Sequence, residues 1–168
     1  MKNEHDHYMQ EALYEAAEAL AKGEFPVGCV ITHNRRIVAR AHRINSRNHA
    51  NELDHAEVTA LRHLCRQEAG TSDSPLTIYS TMEPCLMCFA TLILNNVRTI
   101  VYGYEDAMGG GTGLDLSSLP PLYRTMKINV IPHVMRQESL ALFKEFFSNP
   151  AFNYWPDSLL AHYTLKQP

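Results

Sequence analysis

Two short stretches decide how this sequence is interpreted, His55-Ala56-Glu57 and Pro84-Cys85-Leu86-Met87-Cys88. One imidazole and two thiolates are good zinc ligands, and three protein ligands with one open position are typical of a catalytic zinc site. The carboxylate of Glu57, two residues after the histidine, suits a proton carrier for water at the open position. These residues predict a catalytic zinc centre assembled from two parts of the chain.

Both stretches lie at predicted helix N-termini. Asp54 is predicted to be the N-cap of one helix, with Glu57 at its third position. Pro84 opens the other helix, which is apolar nearly all round and is therefore expected to be buried. Cys85 and Cys88 are three residues apart and share one helix face, and the positive end of a helix favours thiolates. The two helix starts are expected to point at one metal ion.

The rest of the chain alternates helix and strand signals. Helices are predicted over Tyr8–Lys22 and Glu138–Phe147, and a β-hairpin over Val27–Thr32 and Ile37–Ala41. Further strands are predicted at Leu76–Ser80, Thr99–Tyr102 and Ile128–Ile131, with loops over Ala41–Asp54 and Gly70–Pro75. This alternation predicts one α/β domain, residues 1–168, built round a single sheet.

The composition excludes several classes of protein. A chain of 168 residues with 45% hydrophobic and 20% charged residues is typical of one globular domain. Its apolar runs, such as Phe89 to Leu94, are too short to span a bilayer, and the polar N-terminus carries no secretory signal. Cys29 and Cys65 are expected to be buried free thiols, which favours a reducing, cytoplasmic location.

The charge of the chain also bears on its partners. A net charge of −3 disfavours a large nucleic-acid footprint. A local basic group of arginines lies in and after the predicted hairpin, and we interpret it as solvated surface: Arg35, Arg36, Arg40, Arg43 and Arg47.

Cys-x-x-Cys alone is a weak signal, because thiol–disulfide enzymes and structural zinc sites also use it. A redox pair would not need His55-Ala56-Glu57. A structural zinc would need a fourth strong ligand, and neither His49 nor His63 has a ligand-like spacing to His55. Both alternatives are weaker than the catalytic zinc.

With these residues the sequence resembles the zinc-dependent cytidine-deaminase-like superfamily, whose signature is H-x-E followed by P-C-x-x-C. The likeness runs from the first helix to about Phe147 and is nearest to the branch of tRNA adenosine deaminases and bacterial guanine deaminases. Four stretches carry it: Pro26-Val27-Gly28-Cys29-Val30, His55-Ala56-Glu57-Val58-Thr59-Ala60, Thr81-Met82-Glu83-Pro84-Cys85-Leu86-Met87-Cys88 and Tyr102-Gly103-Tyr104-Glu105-Asp106-Ala107. The resemblance implies a three-layer α/β/α fold with a five-stranded mixed sheet, and a homodimer with sites near the interface.

The resemblance also implies roles for single residues. His55, Cys85 and Cys88 would hold Zn²⁺, and Glu57 would carry protons while water displaces an exocyclic amine from a nucleobase ring. Substrate contacts are implied at five positions: Asn45, Val27, Ala56, Pro84 and Asp106. Asn45 is one residue nearer to His55 than in the tRNA enzymes, so it is equally consistent with a turn residue.

The substrate is open between two enzymes of this branch. Val58 and Thr59 look more like the guanine deaminases, whereas Gly103 to Ala107 look more like the tRNA enzymes. A tRNA enzyme needs a basic C-terminal face, because phosphate contacts dominate such binding. After Glu138 the basic residues are only Lys144, Lys166 and His162. We therefore expect a small purine-like base, guanine or an analogue, ahead of adenosine in tRNA.

A third possibility comes from a different class, a non-catalytic zinc-stabilised RNA-binding or interaction module. Such a module would have no use for Glu57 beside an open metal position. The residue therefore separates this class from the enzymes.

Two further segments have alternative interpretations. The tail, residues 149–168, holds Phe152, Tyr154 and Trp155, which either close over the pocket as a lid or pack against the last helix or a dimer contact. The run Gly109 to Gly113 lacks the lysine of a phosphate-binding loop and is expected to be a flexible loop near the site.

Overall fold

A computed structural model describes residues 4–47, 50–66 and 74–168, in which five strands form one sheet. The strands are β1 (Gly28–His33), β2 (Arg36–His42), β3 (Leu76–Met82), β4 (Val97–Tyr104) and β5 (Asn129–Ile131). They lie in the order β2-β1-β3-β4-β5. The pairs β1–β2 and β1–β3 are antiparallel, whereas β3–β4 and β4–β5 are parallel. The predicted five-stranded mixed sheet is confirmed.

The helices connect and cover these strands. They are α1 (Glu4–Ala21), α2 (Ala56–Cys65), α3 (Leu86–Leu94), α4 (Pro121–Arg124), α5 (Arg136–Ser148) and α6 (Leu159–Lys166), with 3₁₀ turns at Glu52–Asp54 and Leu116–Ser118. None of the helices in the described ranges has both the length and the apolar character to cross a bilayer.

Alternate strand residues face two helical layers, as the two-residue period of a strand requires. On one face, Val30, Tyr79 and Val101 pack with Tyr8, Met9, Ala12 and Leu13 of α1. On the other face, Ile31, Ile78 and Ile100 pack with Ala60 and Leu61 of α2 and with Phe89 and Leu92 of α3. The sheet thus lies between helices, which is the predicted three-layer arrangement.

Two predictions about helices were wrong in detail. The N-cap of α2 is His55, not Asp54. The Asp54 carboxylate instead accepts hydrogen bonds from Asn45, Asn51 and Arg62, so it fastens the loop in front of the helix. The third helix is buried on one side only, because the sheet covers one face; Leu86 and Leu94 are more than half exposed.

The predictions for two cysteines and for one loop have different outcomes. Cys29 is buried as predicted, but Cys65 is exposed, because it ends α2 away from the sheet. Most of the predicted loop Gly70–Pro75 lies outside the described residues.

The tail contains a helix, α6, that the sequence pattern did not reveal. Its first turn is capped by the Ser158 hydroxyl, which accepts a hydrogen bond from the Ala161 N–H at 3.1 Å.

Glu105 at the end of β4 joins the sheet to α5 and α6. Arg136 donates to its carboxylate from Nε at 2.8 Å, and the Tyr163 hydroxyl donates at 2.8 Å. Partial burial opposes ionisation, yet these hydrogen bonds hold the pKa of Glu105 at about 2. The ionised carboxylate therefore stabilises the packing of the C-terminal helices.

Replacing Glu105 by glutamine should lower the melting temperature at pH 7 by roughly 3–8 °C. The lowered pKa means that the ionised carboxylate stabilises the fold above about pH 4.5, and that this stabilisation is lost as the pH falls toward 2. The difference between wild type and variant should be full at pH 6 and shrink below pH 4.5 in thermal unfolding monitored by circular dichroism. Glu145→Gln, an exposed position on α5, is the matched control. A difference that does not narrow with acid would contradict this role.

Candidate metal centre and active-site pocket

The two stretches that carry the predicted site meet where α2 and α3 begin. His55 is the N-cap residue of α2 and Cys85 is the N-cap residue of α3. Only Glu83 and Pro84 separate β3 from Cys85, and the Glu83 N–H donates to the Tyr104 carbonyl of β4 at 2.7 Å. The end of the sheet therefore fixes the start of α3 beside the start of α2.

The three predicted ligands have the spacing that tetrahedral zinc requires. His55 Nδ1 lies 3.6 Å from Cys85 Sγ and 3.4 Å from Cys88 Sγ. Zinc bond lengths of about 2.1 Å to nitrogen and 2.3 Å to sulfur, at a tetrahedral angle, separate such atoms by about 3.6 Å. All three ligand atoms lie within 4.8 Å of one another. The residues fit a zinc ion with three protein ligands.

The described ranges contain this one group of His, Cys, Asp and Glu side chains with metal-ligand spacing. The Nδ1 atom of His63 lies 3.2 Å from the Arg40 carbonyl, on the outer side of α2. His49, the other candidate for a fourth ligand, lies outside the described residues. All four cysteines are free thiols. The arrangement favours a site with an open position over a closed structural zinc or a disulfide.

The electrostatics of the site suit a cation. Hydrogen bonding with Cys88 and with His55 lowers the pKa of Cys85 to about 4, against the opposing effect of burial, whereas the interaction with Cys85 and burial raise the pKa of Cys88. Burial alone would lower the pKa of His55, but Cys85 and the carboxylates of Glu57 and Glu52 raise it to about 9. The raised pKa of His55 shows that the thiolate and the neighbouring carboxylates stabilise positive charge at this point, which a divalent metal would supply.

Glu52 orients the histidine ligand. Its Oε2 lies 3.0 Å from Nε2 of His55, on the side of the ring opposite to the thiols. A carboxylate in this position fixes the tautomer that leaves Nδ1 free to bind a metal. Glu52 was not predicted from the sequence, although its distance of three residues from His55 was a usable signal.

Glu57 lies beside the ligand group without belonging to it. Its side chain is buried, the Ser80 hydroxyl donates to Oε1 at 3.3 Å, and the Cys88 thiol donates to Oε2 at 3.5 Å. Burial raises the pKa of Glu57 above its ordinary value, against the opposing effect of His55. A carboxyl group with a raised pKa beside a metal position can both take up and return a proton.

A cavity of about 130 Å³ opens next to this group. Its wall is mixed. Apolar side chains cover part of it, namely Phe25, Val27, Met82, Met108 and Leu160, and the polar lining comes from Arg43, Glu52, His55, Glu57, Glu83, Cys85 and Asp106. Such a mixture of flat apolar walls and a few polar groups is typical of a small-molecule site.

The five residues implied as substrate contacts lie in different places. Val27, Ala56 and Asp106 line the cavity. The Pro84 carbonyl accepts from the Gly111 N–H at 2.9 Å, and Pro84 is not among the lining residues. Asn45 is not among them either; its backbone has a φ of 54°, and its amide donates to Asp54 at 2.8 Å. The position of Asn45 is therefore that of a turn residue.

Arg43 lines the cavity instead, although its neighbourhood of arginines in the sequence predicts a surface position. Ala39 and Ala41 of β2 are buried at 6% and 5% exposure, and Arg43 follows at the same two-residue period with 2% exposure. The signal was present in the alternation, because a strand turns every second residue to the same face. The interpretation of Arg43 as part of a solvated basic group was wrong.

The tail reaches the same cavity. Tyr154 and Trp155 line it, and the Tyr154 hydroxyl donates to Oε2 of Glu52 at 2.9 Å. The Phe152 ring stacks on Phe146 of α5 with centroids 4.9 Å apart. Phe152 thus packs on α5, as one interpretation of the tail predicted, while Tyr154 and Trp155 line the cavity.

The glycine-rich segment lies against the site, as expected. Gly110 pairs with Cys85 as an isolated β-bridge, and Thr112 donates its N–H to Glu83 at 3.3 Å. A Cβ on Gly111 would lie 2.6 Å from the backbone nitrogen of Leu86, so a larger residue would displace the start of α3. The segment is a backbone support for the ligand helix.

Comparisons with known proteins agree with this geometry. The family described as the cytidine and deoxycytidylate deaminase zinc-binding region matches residues 2–104. A tRNA-specific adenosine deaminase of Bacillus subtilis is 32% identical over 140 residues, which cover 83% of this chain and 86% of the relative.

Solved structures are similar as well. One comes from a study of A-to-I editing by tRNA deaminases at the wobble position; it has 28% identity and a TM-score of 0.67, and the match covers 81% of this chain and 98% of that one. Another, a mutant of NE0047 in complex with 8-azaguanine, has 20% identity and a TM-score of 0.65, with 84% and 83% covered. The second likeness concerns the fold alone.

Proposed function

The chain belongs to the family of cytidine and deoxycytidylate deaminases with a zinc-binding region, it is a zinc-dependent hydrolytic deaminase, and we propose that its substrate is a free purine-like base, guanine or an analogue. One observation carries the choice of a free base. Tyr154 and Trp155 of the C-terminal tail line the cavity that holds Glu57 and the zinc ligands.

The tail makes the cavity suitable for a detached base. The Tyr154 hydroxyl donates to Glu52 at 2.9 Å, and the Tyr154 ring packs directly on that of Phe25, with centroids 5.0 Å apart, so that the two rings form one aromatic side of the cavity. A base within an RNA strand would have to bring its flanking nucleotides past these contacts, whereas a free base would not. The match to the tRNA-editing structure covers 98% of that chain and 81% of this one, so this chain holds residues for which that structure has no counterpart.

The residues of the cavity suit the reaction on such a base. His55, Cys85 and Cys88 would hold zinc, which when bound acts as a Lewis acid and lowers the pKa of a water ligand from about 15.7 toward 7. Phe25 and Tyr154 offer ring faces against which a heterocycle can lie. Glu57 would accept one proton from water and deliver it to a ring nitrogen. It would then take the second proton of that water, from the hydroxyl group newly formed on the base, and deliver it to the amine, which departs as ammonia while the C=O bond forms.

A second candidate is deamination of adenosine in tRNA. The sequence relatives support it better than they support the free base, since the named relatives with 30–36% identity are tRNA-specific adenosine deaminases. The charge of the C-terminal region speaks against it. This region offers few cations for phosphates, because its basic residues after Glu138 are only Lys144, Lys166 and His162.

Ammonia release separates the two candidates. The zinc-loaded protein would be incubated with guanine, adenine, cytosine, their nucleosides, pterin and triazine amines, and a tRNA anticodon stem-loop. Release from a free base and none from the stem-loop is the expected result. Release from the stem-loop alone would overturn the proposal in favour of the second candidate.

Removing the aromatic rings of the tail should weaken the free-base reaction. Because one base–aromatic stack is worth about 1–3 kcal/mol, Tyr154→Ala should lower kcat/KM for the free base by about 5- to 100-fold. Tyr154→Phe keeps the ring and loses the hydrogen bond to Glu52, so it is the matched control for stacking. The kinetics of both variants would be measured with the free base from which the wild type releases ammonia. An unchanged KM in Tyr154→Ala would contradict a role of the tail in binding.

Two further properties belong to the proposal. We propose a homodimer with its sites near the interface, for which sedimentation velocity should show about twice the chain mass of 19.1 kDa. We also propose that the protein works in the cytoplasm, which is consistent with four free cysteines.

A further inference from the structure

Arg43 has an unusual environment for an arginine. Its side chain is 2% exposed and forms part of the cavity wall. Nη1 donates to the Asn51 carbonyl at 2.7 Å, and Nη2 lies 3.4 Å from Oε2 of Glu52. Nε is buried and has no hydrogen-bond partner among the described residues. The guanidinium also interacts with the side chain of Tyr154. Of its three nitrogens, Nε is the one whose N–H donor has no partner among the described residues.

A purely structural role explains this arrangement poorly. Holding the loop in front of α2 requires the contact with Asn51, but it does not require burial of a cation with an unfilled donor, which is costly. The Tyr154 ring lies over the guanidinium. The distance from the centroid of the ring to Cζ of Arg43 is 5.5 Å. Arg43 is therefore fixed between the loop and the tail, at the place where a ligand would lie.

The charges around the cavity define the ligand that Arg43 can receive. Apart from Arg43 and the metal-ligand residues His55 and Cys85, the ionisable lining in the described part of the chain is acidic: Glu52, Glu57, Glu83 and Asp106. A phosphate or carboxylate would be repelled by these groups. A neutral heterocycle suits both kinds of group. Its N–H groups would donate hydrogen bonds to the carboxylates, and one acceptor oxygen would receive hydrogen bonds from the guanidinium.

We propose that Arg43 is a specificity-determining residue that donates hydrogen bonds to a ring carbonyl oxygen of the base, so that the substrate is an amino-oxo heterocycle rather than a purine with amino groups alone. The inference rests on the proposed function and narrows it. Guanine has such an oxygen, and adenine has none.

Two bases that differ only at this group provide the test. Guanine and 2-aminopurine carry the same exocyclic amine, and guanine adds the ring oxygen with its N–H. The zinc-loaded wild type should show a higher kcat/KM for guanine. Arg43→Gln should lower kcat/KM for guanine by about 10- to 100-fold, the worth of a hydrogen bond to a charged group, and change that for 2-aminopurine by less than about threefold.

Controls separate recognition from folding. Arg43→Lys keeps the charge without the planar fork and should lie between wild type and Arg43→Gln. Arg40→Gln changes a half-exposed arginine of β2 that pairs with Glu11 and Glu15 outside the cavity, and it should leave both rates unchanged. Zinc content and melting temperature would be measured for every variant.

Each outcome bears on one of the two proposals. An equal loss on both bases in Arg43→Gln would overturn the specificity role. If that variant does not fold, the comparison of guanine with 2-aminopurine in the wild type tests the inference. Equal kcat/KM values for the two bases would overturn the inference and leave the proposed function standing. Ammonia release from no free base, with zinc bound, would overturn the proposed function and this inference with it.

Discussion

Replacing Glu57 by glutamine should reduce turnover by about 10²- to 10⁴-fold while zinc remains bound. The substitution keeps the size of the side chain and its contact with Ser80, but it removes the group that takes up and returns protons. Because Glu57 is not one of the three ligand residues, the metal content should not change. Ammonia release and zinc per chain would be measured on the same preparations.

Glu18→Gln, on the exposed side of α1, is the control for the loss of one carboxylate. Retention of more than a tenth of wild-type turnover by Glu57→Gln would show that another group carries the proton. Unchanged RNA binding in both variants, without any turnover in the wild type, would instead support the non-catalytic module.

Replacing Cys88 by alanine should weaken zinc binding by more than about 100-fold and remove turnover, because a direct ligand matters more than the outer partners whose loss costs about 10- to 100-fold. Cys88 is fully buried at the start of α3, beside His55 and Glu57. The melting temperature should also fall, since the bound metal stabilises only the folded state. Zinc would be measured by titration against a chromophoric chelator.

The matched control is Cys65→Ala, which removes an exposed thiol at the end of α2. Treatment of the wild type with a chelator should abolish its activity and lower its melting temperature, as the substitution Cys88→Ala does. Added zinc should restore the activity and the melting temperature only in the wild type. Full zinc content in Cys88→Ala would mean that the metal has other ligands.

The zinc ligands and Glu57 were predictable because each depends on local geometry. Cys85 and Cys88 share a face by helix spacing, and His55 and Glu57 are neighbours in the chain. The alternation of apolar runs likewise predicted the five strands of the sheet, with ends that differ by a few residues. Local errors occurred where two residues competed for one role, as when Asp54 was favoured over His55 as the N-cap of α2.

The cavity wall was not predictable in the same way. The resemblance implied Asn45 as a base contact, although its distance from His55 along the chain is one residue shorter than in the tRNA enzymes and a turn residue was equally consistent. Its amide donates to Asp54, and Arg43 lines the cavity instead. Tyr154 lies 102 residues from Glu52, to which it donates a hydrogen bond. No spacing rule connects residues so far apart, because their contact depends on where α5 and α6 pack.

The sequence by itself indicated the fold class, the three residues of the metal-ligand group and Glu57 beside them, since periodicity and short spacings set local conformation. Only the tertiary structure decided which side chains surround the substrate. The packing of α6 against β4 through Tyr104 and Thr164 brings the tail over the cavity, and the register of β2 turns Arg43 inward. Those positions follow from the burial of apolar surface between segments that are far apart in the sequence. The local pattern of either segment alone therefore does not reveal them.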